Sequence, residues 1–158
     1  MRIQSSLLTL CAAFMLVMLT GCEDDPQGDL AVSFDFGNNG GANYYELANS
    51  RSVSIPLRVN ISAENLVVEA EVVSVVPSED LTSATDEPSE EDVALSARDG
   101  DPMTWVATFA YRGSYVIEFT VEEDAGGATV REGTGQVLIE VTNNALPLGP
   151  PADVEGDA

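Results

Sequence analysis

The chain has 158 residues, with 27 Asp or Glu against six Arg, no Lys, no His and two Cys. A formal net charge of −21 repels nucleic acid and anionic headgroups, and without histidine neither a Ser-His-Asp triad nor a Cys/His zinc cluster can be built. Composition does not exclude a carboxylate pair for glycoside hydrolysis, but in so acidic a chain two neighbouring carboxylates carry little weight, and no enzymatic activity is expected.

Arg2 is the only early charge, and Leu7 to Leu19 is apolar apart from Thr9, with small Gly21 just before Cys22. Residues 1–21 therefore read as a cleaved secretory signal. The apolar run is shorter than the roughly 20 helical residues that a bilayer core requires. Glu23, Asp24 and Asp25 follow it, and no Lys or Arg occurs before Arg51 to act as a stop-transfer flank.

Leu19-Thr20-Gly21-Cys22 resembles the lipobox of bacterial lipoproteins. The resemblance implies cleavage between Gly21 and Cys22, a thioether from Cys22 to diacylglycerol, and an N-acyl chain beside it. Several chains anchor firmly, where one binds only reversibly. Cysteine count agrees: Cys11 leaves with the signal, and Cys22 would otherwise be an unpaired thiol in an oxidising compartment. Glu23, not Asp, follows the cysteine. In this family that favours the outer membrane over the inner. The mature chain, 22–158, keeps five Arg and all 27 acids, a net charge of −22.

Residues 22–29 read as a short acidic tether, and 30–142 as one domain. Leu30, Val32, Phe34 and Phe36 alternate with polar or small residues, as a half-buried strand requires. Gly37 to Gly41 breaks the pattern and leads through an exposed loop to Tyr44 and Tyr45. Val53, Ile55, Leu57, Val59 and Ile61 form the clearest inward face, in a strand where Pro56 predicts an edge or a bulge. Leu66 to Val76 ends with apolar residues on both faces, which predicts a bulge or deep burial.

Residues 78–92, acidic around Pro88, predict a mobile loop. Val93, Leu95 and Ala97 restore alternation, followed by a turn at Asp99 to Pro102. Inward faces at Met103 to Tyr111 and Tyr115 to Val121 come next. Gly126-Gly127 opens a hairpin, Gly133 and Gly135 interrupt it, and Val137, Ile139 and Val141 close the domain. About seven strands without a helical period predict an all-β, two-sheet sandwich, and the Pro- and Gly-rich stretch 143–158 predicts a disordered tail.

Gly113-Ser114-Tyr115-Val116-Ile117 resembles the immunoglobulin-like corner where a tyrosine hydroxyl pins the start of strand F, with Ile117 in the place of the antibody cysteine. The run from Gly113 to Gly127, with Val137 to Val141, is similar to the end of a PKD-type or related bacterial Ig-like domain. Trp105 lies on a later strand than the usual inner tryptophan, and a jelly roll or another sandwich stays open.

These readings imply a membrane-anchored envelope lipoprotein whose Ig-like domain is a non-enzymatic binding or structural module. Its partner is a protein or a glycan, and no cofactor is expected. One alternative is a calcium-binding module, with Asp99-Gly100-Asp101 and Glu122-Glu123-Asp124 converging at one pole, although Asp and Gly are ordinary turn residues. The other is an accessory subunit of an envelope complex making contact through Tyr44 and Tyr45.

Overall fold

The computed structural model describes residues 29–37, 43–60 and 65–152. The expected signal, Gly21, Cys22, most of the expected tether and residues 153–158 lie outside them. Eight strands form two four-stranded sheets, with no α-helix among the described residues. They are β1 (Val32–Phe34), β2 (Tyr44–Leu47), β3 (Ser52–Val59), β4 (Leu66–Pro77), β5 (Val93–Arg98), β6 (Asp101–Phe109), β7 (Gly113–Asp124) and β8 (Thr129–Val141). One sheet has the order β1-β3-β6-β5 and the other β2-β8-β7-β4. Lettered along the chain with β2 as a second part of strand A, these orders match those of the ABED and GFC sheets in an immunoglobulin-type sandwich.

Period-two alternation builds the core. Val53, Ile55 and Leu57 of β3 face Ile117, Phe119 and Val121 of β7 across the sandwich, and all six are buried. Phe119 lies between two rings, 5.5 Å from Phe34 and 5.9 Å from Trp105, the latter edge-on. Trp105 belongs to β6, so the aromatic mass that a strand C tryptophan would supply comes instead from the opposite sheet.

Where the chain leaves β6 for β7 it must cross between sheets, and Tyr115 secures the crossing. Its ring is fully buried 4.8 Å from Phe109, and its hydroxyl donates to the Tyr111 carbonyl at 3.0 Å. Gly113 begins β7 with φ +153, and a Cβ there would stand 2.8 Å from the Val76 carbonyl oxygen.

Several expectations are corrected. Tyr44–Leu47 is an eighth strand, paired in parallel with Leu138–Val141 of β8, rather than loop. β3 is interior, flanked by β1 and β6 in unbroken register. Pro56 accepts from the Asp35 N–H but cannot donate back, so β1 ends at Phe34. Of the two readings of β4 the bulge is realised, between Val72 and Ser74, and Val73 and Val76 are exposed.

β8 runs unbroken through Gly133 and Gly135. These glycines admit the N-terminal segment, which crosses so close that a Cβ on Gly133 would lie 1.8 Å from the Leu30 carbonyl oxygen. Leu30 donates its N–H to the Glu132 carbonyl. The acidic loop and the tail pin each other. Thr85 bridges Pro151, Asp86 N–H donates to the Pro150 carbonyl, Pro88 is buried, and Glu90–Asp92 form a 3-10 turn. Leu146 is buried, and the Arg112 N–H donates to the Pro147 carbonyl, so residues 143–152 belong to the folded body.

Two stability predictions follow from these crossings. Tyr115→Phe lowers stability by about 0.5–1.5 kcal/mol, read as a lower urea midpoint at unchanged slope. Burial raises the Tyr115 phenol from 10.0 to about 12. Folding therefore favours the protonated phenol, and this contribution is complete below pH 10 and is lost as pH rises towards 12, where the gap between wild type and variant changes. Gly133→Ala costs about 1–3 kcal/mol by forcing Leu30 off β8, and a thermal melt matching wild type would refute that packing.

Candidate functional site

The sandwich opens at Leu30, which is fixed to Glu132 near the β7–β8 turn. β6 runs from the β5–β6 turn to the Tyr115 corner and β7 runs back, so the β5–β6 and β7–β8 turns share the pole at which Leu30 crosses β8. Cys22 and Gly21, the expected lipidation and cleavage residues, lie outside the described residues.

At this pole the acidic turns do come to one end of the sandwich, but their oxygens are engaged locally. Asp101 Oδ1 accepts from the Met103 N–H at 3.0 Å, and Asp124 Oδ1 from the Gly127 N–H at 2.6 Å. Glu122 accepts from Thr129, and Glu123 holds Arg131 at 2.5 Å with both side chains mostly buried. That carboxylate and its hydrogen bond raise the Arg131 pKa. Among the described residues no group of three or more Asp, Glu, Cys or His side chains is placed to hold a metal ion.

The two outer faces differ sharply. Strands β1, β3, β5 and β6 contain a single carboxylate, Asp101, and their outward positions are mainly Ser and Thr, with Arg58 and Arg98. Strands β2, β4, β7 and β8 contain Glu46, Glu69, Glu71, Glu118, Glu122, Glu123, Glu132, Glu140 and Asp124. Register sets three pairs of these directly opposite one another: Glu71 with Glu118, Glu122 with Glu132, and Glu46 with Glu140. Neutral donors soften the arrangement, as Gln136 Nε2 donates to Glu118 at 2.7 Å and the Tyr44 hydroxyl to Glu140 at 2.5 Å. The second bond raises the Tyr44 phenol to about 12.

The same sheet carries all six large exposed hydrophobic residues found among the described residues: Tyr44, Val67, Val73, Val76, Val130 and Leu138. Leu138 lies opposite both Tyr44 and Val116, and Val116 lies opposite Ser74 beside the bulge. An apolar row therefore crosses β2, β8 and β7 and meets β4 at Ser74, beside the exposed Val73 and Val76, with carboxylates above and below it. The two expected contact tyrosines separate: Tyr44 joins this band, whereas Tyr45 packs on Phe36 at 4.9 Å.

No protein-family model matches the chain, and no curated protein matches it.

A shallow hollow of about 320 Å³ lies beside Tyr45 and Phe36, with Asp35 at its rim. The Gly37 N–H and Arg58 hold the Asp35 pKa below its ordinary value. Sequence reasoning did not single out the banded face. Its signal was the valine run at the end of β4, apolar on both sides, whose outward members need a covering that the fold does not provide.

Because Asp101 and Asp124 already serve turn N–H groups and Glu123 holds Arg131, millimolar calcium and matched magnesium should shift the thermal midpoint slightly and alike. Asp99→Asn with Asp101→Asn should leave that equality intact. A calcium-specific rise abolished by the double variant would restore the calcium-module reading.

Proposed function

We propose that this protein is a lipid-anchored bacterial envelope lipoprotein whose PKD-type, Ig-like sandwich acts as a non-enzymatic binding or structural module, on the outer membrane in preference to the inner. The observation that carries the proposal is the lipobox ending at Cys22, only a few residues before Leu30 joins the sandwich. At roughly 3.3–3.6 Å per extended residue, such a tether reaches no more than about 30 Å. The domain would sit close to its membrane, with the β5–β6 and β7–β8 turns towards it.

Display rather than chemistry is supported by where the reactive groups stand. The carboxylates of β4 and β8 and outward Glu118 and Glu122 of β7 lie on an open sheet face, and Asp101 and Asp124 serve turn N–H groups, whereas catalytic carboxylates work in concave, water-restricted sites. The asymmetric pair of faces is what a module presenting one surface to a partner needs.

Metabolic labelling with a fatty-acid analogue tests the anchor. Wild type should be labelled and sediment with membranes, and Cys22→Ser should lose the label and accumulate as an unprocessed or soluble form. Equal labelling of both, or none in wild type, refutes the proposal.

A further inference from the structure

We propose that the outer face of the β2-β8-β7-β4 sheet docks a basic amphipathic protein segment, which lays apolar side chains across Tyr44, Leu138, Val73 and Val76 and sets Lys or Arg between Glu71 and Glu118. This rests on the reading of the chain as a displayed binding module and names the chemistry of its partner.

Two independent features point to this occupant. The first is apolar: the exposed large hydrophobic residues gather on one sheet, with relative exposures of 37% at Tyr44 and Leu138, 38% at Val73 and 56% at Val76. Scattered exposed residues need no explanation, but an apolar row over three neighbouring strands, flanked on the fourth by Val73 and Val76, marks a contact surface. The second is electrostatic. Like charges directly opposite on neighbouring strands are destabilising, yet the register repeats that arrangement three times on this face and nowhere on the Ser/Thr face.

Among the described residues no ion pair reaches any of these three glutamate pairs. The two ion pairs among the described residues are Arg58 with Asp35, on the other sheet, and Arg131 with Glu123 at the pole. A second copy docking face to face would bring the same glutamates together, and anionic lipid or nucleic acid is repelled in the same way. A partner with both apolar and cationic side chains satisfies both features at once, and charge complementarity sets its orientation and speeds encounter.

The test uses the full mature protein in non-ionic detergent and three short fluorescent peptides: alternating Lys-Val, alternating Glu-Val and alternating Lys-Ser. Anisotropy should show Lys-Val binding most tightly, more weakly as salt rises, with Glu-Val not binding. Leu138→Ser and Val76→Ser, both at exposed positions, should each weaken Lys-Val binding by about fivefold or more, whereas Ser54→Ala on the opposite sheet should not.

Glu71→Gln with Glu118→Gln supplies a signature that loss of folding cannot imitate. Removing the like-charge pair should raise the urea midpoint while weakening Lys-Val binding. Lys-Ser binding as tightly as Lys-Val would mean charge alone and would overturn the proposal, as would variants indistinguishable from wild type. Self-association of the protein, abolished by Leu138→Ser, would overturn it in favour of a second copy. Lipid labelling reads the anchor and these titrations read the face, so unlabelled Cys22 with specific peptide binding faults the anchor alone.

Discussion

A two-sheet sandwich is weakest where the backbone leaves one sheet for the other, because the crossing residues give up their ladder partners above a dry core. At the β6–β7 corner Tyr115 meets that difficulty twice. Its ring fills the space under the crossing, and its hydroxyl takes up the Tyr111 carbonyl that no strand can satisfy. Neighbouring segments build on that corner: the Ala110 N–H reaches the Asp92 carbonyl and the Arg112 N–H reaches Pro147. The acidic loop and the tail, which share no sequence pattern, are thereby drawn to one pole and to each other. At the opposite pole the crossing of Leu30 over β8 solves the same problem by removing side chains, at Gly133 and Gly135, rather than by adding a donor.

The parts of this fold legible in the sequence are those whose physics is local. Alternation in β3, β6 and β7 reports burial directly, and Gly113 followed by Tyr115 states the corner in three residues. What stayed hidden depends on pairing between distant segments. β2 has four residues, too few to show a period, and exists through a parallel ladder to a segment more than ninety positions away. Pro56 reads as an edge residue when seen alone. Its tolerance in an interior strand comes from a partner strand that stops at the same point. Glycines in β8 look like interruptions until the segment that needs their missing side chains is placed beside them.

The banded face was half legible. Glu69 and Glu71 of β4 and Glu118 and Glu122 of β7 occupy outward positions that alternation alone assigns, but only register shows Glu71 opposite Glu118. Net charge conceals the same fact, since a value of −21 suggests a uniformly acidic surface. The strands instead confine nearly all their carboxylates to one sheet and leave a hydroxyl-rich surface on the other. The resemblance of Leu19-Thr20-Gly21-Cys22 to a lipobox is the reverse case, written wholly in consecutive residues and owing nothing to tertiary contact.

The bulge in β4 has a bearing on how molecules of this protein coexist. β4 is a twelve-residue strand on an open sheet margin, with exposed valines, and a straight ribbon of that kind is a template on which other chains can add themselves. The irregularity between Val72 and Ser74 twists the ribbon, Glu69 and Glu71 charge one half of it, and Pro77 closes its end. Where copies of the chain meet, that margin resists fibre-like stacking while the valines stay uncovered.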